Sequence, residues 1–109
     1  MFLIVGDFNM VKINIGYDDN VKKEYVVCEG HAEDEVRCAM LTAINVSVIN
    51  YMRQVCNGVG FEAEIDYGYC HMYFDYLNED GAIIKDMYEY SLQQLAESHP
   101  KSFKVIKDE

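Results

Sequence analysis

Between Met10 and Ile106 the chain alternates two kinds of apolar spacing. Val11, Ile13 and Ile15 fall on one side of Lys12, Asn14 and Gly16, the two-residue repeat of a strand. Asp18-Asp19-Asn20 is turn chemistry. In Lys23–Glu29, Tyr25 and Val27 alternate with Val26 and Cys28, so the two segments predict an antiparallel hairpin. Gly30 ends the second strand and lets the backbone bend. The spacing then becomes helical from Glu35 to about Cys56, with Asp34 a candidate N-cap and Asn57-Gly58 a C-terminal stop. One stripe of this helix holds Val36, Met40, Ala43, Ile44, Ser47, Tyr51, Met52 and Val55. Leu41, Val48 and Ile49 widen it to most of the circumference, which predicts cover on a second side, by another copy of the chain.

Phe61–Asp66 and Tyr69–Tyr76 predict a second hairpin around Asp66-Tyr67-Gly68. Asn78-Glu79-Asp80-Gly81 opens a second helix whose core stripe is Ile84, Met87, Tyr88, Ser91, Leu92 and Leu95, and His99-Pro100 ends it. Ser102–Ile106 is a last short strand with Phe103 and Val105 on one face. The order β-β-α-β-β-α-β predicts an α+β domain of two layers, a mixed sheet with both helices packed on it. Residues 10–109 are read as one domain and residues 1–9 as an N-terminal extension or an added edge strand.

Composition narrows the function classes. Half of the 109 residues are apolar, enough for a core without covalent staples, yet no apolar run reaches the length of a membrane span. No signal-peptide pattern opens the chain, so a cytoplasmic protein is expected. The cysteines, Cys28, Cys38, Cys56 and Cys70, are accordingly read as reduced thiols. Nine basic residues face nineteen acidic ones, a formal net charge of −10. Nucleic acid and anionic membrane are poor partners for that balance, and a basic polypeptide is a favourable one.

The candidate chemistry lies in Gly30–Cys38, Gly-His-Ala-Glu-Asp-Glu-Val-Arg-Cys. Cys38 falls in the first helical turn, where unpaired N–H groups and the helix dipole favour a thiolate. His31, just upstream, can take the thiol proton. The same residue types also have structural uses, since free cysteines commonly pack as small apolar groups and a histidine before a helix is commonly a loop residue. Cys28, Cys56 and Cys70 are read in that structural way. Cys28-x-x-His31, Cys38 and Cys70-His71 carry soft metal ligands, but their spacing matches no zinc module, and no metal or other cofactor is expected. Of Glu29, Asp34 and Asp66, none stands out as the residue that would orient His31. The aromatic run Tyr67, Tyr69, Tyr73, Phe74 and Tyr76 suits a peptide groove, or is divided between core and dimer surface.

Four patterns in the same order resemble the ribosomal-processing cysteine protease (YsxB-like) family. They are Gly30-His31-Ala32 after a hairpin, Cys38-Ala39-Met40-Leu41-Thr42-Ala43 opening the helix, the turn Asp66-Tyr67-Gly68-Tyr69, and Leu95-Ala96-Glu97-Ser98-His99-Pro100-Lys101 at the second helix end. The likeness runs from about Met10 to Lys107. It implies a dimeric cytosolic cysteine endopeptidase that removes an N-terminal extension from a ribosomal protein, or acts on phage structural proteins. Cys38 would be the nucleophile and His31 the general base, with Thr42 and Asp34 in support. The chain departs from the family between the two reactive residues. Only Ala32–Arg37 lie there, about five residues fewer than the usual glycine-containing loop. The acids Glu33, Asp34 and Glu35 crowd the helix start and oppose a thiolate. A non-catalytic protein that binds a polypeptide on the same fold is the alternative that this short loop motivates. His99 also replaces an aromatic residue of the family pattern.

Overall fold

The structure is a computed structural model, described over residues 10–32, 34–55, 60–75 and 78–108. The extension at residues 1–9, together with Glu33, Cys56, the Asn57-Gly58 stop and Tyr76, lies outside the described residues, as does the side chain of Val55. Strand β1 (Val11–Asp18) returns as β2 (Lys23–Gly30), followed by helix α1 (Glu35–Val55), strands β3 (Phe61–Asp66) and β4 (Tyr69–Phe74), helix α2 (Glu79–Ser98) and strand β5 (Phe103–Lys107). The strands form one five-stranded sheet in the order β3-β4-β2-β1-β5. β1 and β5 run parallel while the other neighbours are antiparallel, so the sheet is mixed and the fold is α+β, with two helices on five strands.

Local chemistry explains the elements. In the first turn Asn20 donates its amide to Asp18 Oδ1 at 2.9 Å, the side-chain mimic of a backbone turn that favours Asp there. Asn78 caps α2, its Oδ1 accepting the Gly81 amide at 2.7 Å. Asp34 caps α1 through Oδ1 to the Arg37 amide at 2.9 Å. The alternation in the strands sets the layers. Val11, Ile13, Val26, Met72 and Phe74 are buried beneath the helices, and the half-buried Asn14, Tyr25, Val27, His71 and Tyr73 alternate with them on the opposite face. Full burial of a side chain such as Met52, Ile13 or Leu92 contributes about 1.5–3 kcal/mol to folding.

The structure divides the apolar circumference of α1 into a buried and an exposed side, and departs from the expected core stripe of α2 at one residue. On α1 the buried residues are Leu41, Asn45, Val48, Ile49 and Met52, with Ile44 half-buried, whereas Val36, Met40, Ala43, Ser47 and Tyr51 are exposed. The apolar pattern of α1 describes two adjacent stripes, and periodicity alone does not say which one meets the sheet. The polar Asn45 on the buried stripe disguises it. Asn45 is acceptable inside because its Oδ1 accepts the hydroxyl hydrogen of buried Tyr88 at 2.6 Å. On α2, Tyr88, Leu92 and Leu95 are buried as expected and Ile84 and Ser91 are half-buried, but Met87 is 59% exposed.

Candidate functional site

Three elements meet at one end of the sheet. β2 stops at Gly30, α1 begins at Glu35, and the β3–β4 turn projects beside both. Gly30 donates its amide to Gly68 O at 2.9 Å, which ties the turn to the end of β2. Gly30 also has φ +111°, and a Cβ there would lie 2.4 Å from Met10 O. Only glycine permits the bend that sends the chain from β2 to the helix. Between the three elements lies a cleft of about 540 Å³, with His31, Cys38 and Thr42 in its wall.

Cys38 is half-buried, one turn into α1. Its own amide donates to Asp34 O at 3.1 Å. Its Sγ receives the Ala32 amide at 3.2 Å. That N–H comes from the short connection itself, whereas the sequence points to donors at the helix start. Two of the helix-start donors are engaged elsewhere, because Arg37 and Cys38 give their amides to Asp34. Thr42 is exposed one turn further on, and Asn45 lies deeper in the same cleft wall. Spacings of four and three residues place Cys38, Thr42 and Asn45 on one helix face.

His31 is half-buried and packs against the β3–β4 turn. Its ring centroid lies 4.5 Å from that of Tyr67, with the planes 42° apart. A Cβ on Gly68 would stand 2.6 Å from both Cε1 and Nε2 of the imidazole. His31 and Cys38 thus share the cleft. Among the described residues they share no hydrogen bond, since the sulfur meets Ala32 and the ring meets the turn.

The acids are placed as follows. Asp34 forms an ion pair with Arg37 in addition to its cap. The Arg37 amide holds the Asp34 carboxyl below the usual range against the opposing effect of burial, with the Arg37 charge adding a smaller push in the same direction. Arg37 reaches on through Nε to His99 Nδ1 at 3.3 Å, so the residue at the end of α2 steadies the start of α1. Part of the negative charge that crowds Cys38 is thereby answered. Asp66 Oδ1 accepts the Tyr67 amide at 2.7 Å, and Glu29 lies exposed on β2. Among the described residues no carboxylate hydrogen-bonds His31.

Cys28 and Cys70 face each other across β2 and β4 and line the floor of the cleft as buried free thiols. Burial pushes the Cys28 thiol up to about 11 and the Cys70 thiol up to about 12. Cys28 Sγ lies 4.0 Å from the Tyr88 hydroxyl. Cys70 faces the core while His71 faces the opposite side of the sheet, where Tyr69 Oη lies 2.9 Å from its Nδ1. Adjacent residues on a strand point to opposite faces, so Cys70 and His71 cannot ligate one ion. Among the described residues no three histidines, cysteines or carboxylates gather as metal ligands. The aromatic run divides. Tyr67 and Tyr69 line the cleft, Tyr73 lies on the open face of the sheet and Phe74 is in the core.

No protein-family model matches the chain, and neither does any curated protein. Solved structures do. The ribosomal processing protease Prp from S. aureus, covalently linked to a product peptide, superposes with TM-score 0.69 at 23% identity, over 91% of this chain and 100% of that one. The same protease with a substrate peptide gives TM-score 0.66 at 20% identity, over the same shares. SMU.848 from Streptococcus mutans gives 0.70 at 13% identity, over 91% of this chain and 94% of that chain. The chain therefore has the fold of the Prp ribosomal processing proteases.

Proposed function

We propose that this protein is a cysteine endopeptidase that removes an N-terminal extension from a ribosomal or phage structural protein. The observation that carries the reading is the placement of Cys38. Its sulfur lies half-buried at a helix start, receives a backbone N–H, and opens on a cleft shared with His31. The fold it shares with Prp, a protease held with substrate and product peptides, adds support.

In the proposed reaction the imidazole of His31 takes the Cys38 proton and Sγ attacks the peptide carbonyl carbon. The carbonyl π pair moves to oxygen, and the Ala32 N–H, which lies 3.2 Å from the sulfur, stabilises that oxygen. When the tetrahedral species collapses, the C–N bond breaks and the amine leaves with the proton from His31. Water, deprotonated by the same imidazole, then hydrolyses the thioester and returns the thiol. Thr42 supports the wall beside the sulfur, and Asp34 acts by fixing the first turn of α1. The acids on the cleft rim, Asp34, Glu35 and Asp66, and the net charge of −10 suit a substrate rich in Lys and Arg.

The test is cleavage of a synthetic peptide spanning the basic N-terminal extension of a large-subunit ribosomal protein from the same source. Cleavage by the wild type and its loss in both Cys38→Ala and His31→Ala, with unchanged thermal unfolding, are expected. Undiminished cleavage by Cys38→Ala overturns the mechanism. One observation favours a second reading, a polypeptide-binding protein without catalysis. The imidazole rests on the turn and the sulfur on Ala32, with no hydrogen bond between them. Binding of the intact peptide by a wild type that never cuts it would select that reading.

The exposed stripe Val36, Met40 and Tyr51, continued by Ala43 and Ser47, supports a second proposal, a homodimer contact on α1. Sedimentation equilibrium should give a dimer that Met40→Glu converts to monomer. A wild-type monomer at the highest concentrations would exclude it.

A further inference from the structure

Cysteine–histidine sites generally need a group that fixes the imidazole, most simply a carboxylate hydrogen-bonded to its second nitrogen. Among the described residues, the acids Asp34 and Asp66 are engaged elsewhere, Asp34 on Arg37 and Asp66 on the Tyr67 amide. Among the described residues, the ring meets the β3–β4 turn. We propose that Tyr67 and Gly68 are the positioning residues of His31, holding the imidazole by shape where a carboxylate would hold it by hydrogen bonding. This rests on the cysteine-endopeptidase reading above.

Two contacts carry the proposal. The Gly68 backbone lies under the Cε1–Nε2 edge of the ring so closely that any side chain there would overlap it, at 2.6 Å from each atom. Gly68 also has φ +71°, so the turn requires glycine for its own conformation as well. The second contact is the tilted Tyr67 ring at 4.5 Å. Tyr67 is 89% exposed, so core packing does not account for its side chain, and its described ring contact is His31. The turn is itself anchored, because Gly68 O accepts the amide of Gly30, the residue that precedes His31. Seat and ring are therefore fixed to one another across a single hydrogen bond. A turn built this way compensates for the shortened connection, which leaves little chain between His31 and Cys38 to control the approach of the ring.

The experiment uses the full chain and iodoacetamide as the probe of Cys38. The second-order alkylation rate is followed against pH, and the imidazole proton shifts of His31 are followed by NMR, for the wild type, Tyr67→Ala, Tyr67→Phe, Gly68→Ala and His31→Ala. The limb of the pH profile that disappears in His31→Ala reports the dyad. Tyr67→Ala should lower that limb about tenfold and remove the ring-current shift of the His31 protons. Tyr67→Phe should restore most of both, because the ring and not the hydroxyl makes the contact. Gly68→Ala should lower the limb about 100-fold, the cost of an ångström-scale displacement of a reacting group. If Gly68→Ala fails to fold, the exposed Tyr67 pair decides alone. Should Tyr67→Ala leave both the limb and the shifts unchanged while His31→Ala removes the limb, the positioning role is wrong and the dyad stands. Should His31→Ala leave the profile unchanged, the dyad is wrong and the positioning role falls with it.

Discussion

Cys38 and the pair Cys28–Cys70 line the same cleft, yet their surroundings differ in every respect that governs thiol chemistry. Cys28 and Cys70 project from the centre of the sheet into the core, and burial pushes their thiols up to about 11 and about 12. Cys38 stands on the first turn of α1, half-buried, with a backbone N–H directed at its sulfur. The same side chain thus packs as a small apolar residue in one place and meets solvent, a donor and a histidine-lined cleft in the other. Under the proposed mechanism, reactivity follows the element that carries the thiol, more than its nearness to the cleft.

The largest effect that sharpens this comparison is on activity. Cys38→Ala should reduce peptide cleavage about 10,000-fold or more, whereas Cys28→Ala and Cys70→Ala should keep cleavage and lose stability instead. Equal loss of cleavage from all three would erase the distinction. A smaller effect concerns the floor beneath Cys28. Tyr88→Phe removes the donor to buried Asn45, and denaturant unfolding should show a loss of about 1–3 kcal/mol. An unchanged midpoint would mean that another group satisfies Asn45. The smallest effect is at alkaline pH. Both buried thiols have folded-state values above the ordinary 9.0, so the folded protein retains these protons longer than the unfolded chain. Their contribution is complete below about pH 9 and is lost as pH rises toward their folded values near 11 and 12. Thermal midpoints of Cys28→Ala and Cys70→Ala should therefore decline less steeply above pH 9 than those of the wild type. An equally steep decline would assign the alkaline limb to other groups.

Much of the architecture is legible in the chain. The two hairpins, the capped helices and the alternating strands follow from periodicity and turn residues, and their bounds agree closely with Val11–Asp18, Lys23–Gly30 and Glu79–Ser98. Long-range pairing is less legible. That β5 lies parallel to β1 and β4 beside β2 depends on how distant segments share one sheet. Which side of the apolar circumference of α1 meets the sheet is not legible locally, because Asn45, a polar residue, is buried through a partner more than forty positions away on α2. The same limit applies at the site. Local spacing singles out His31 and Cys38 as candidates, but Tyr67 and Gly68 touch His31 only because β4 returns beside β2. The signal for Gly68 was present as a glycine in a tight turn, and what it makes room for is visible only in three dimensions.

The central claim is that Cys38 attacks a peptide carbonyl. A basic peptide carrying a C-terminal chloromethyl ketone tests it most directly, with the adduct located by mass spectrometry of the digested protein. The account predicts one equivalent bound at Cys38, formed slowly in His31→Ala and absent in Cys38→Ala. An adduct on Cys28 or Cys70, or a Cys38 left unmodified while the peptide occupies the cleft, would contradict it.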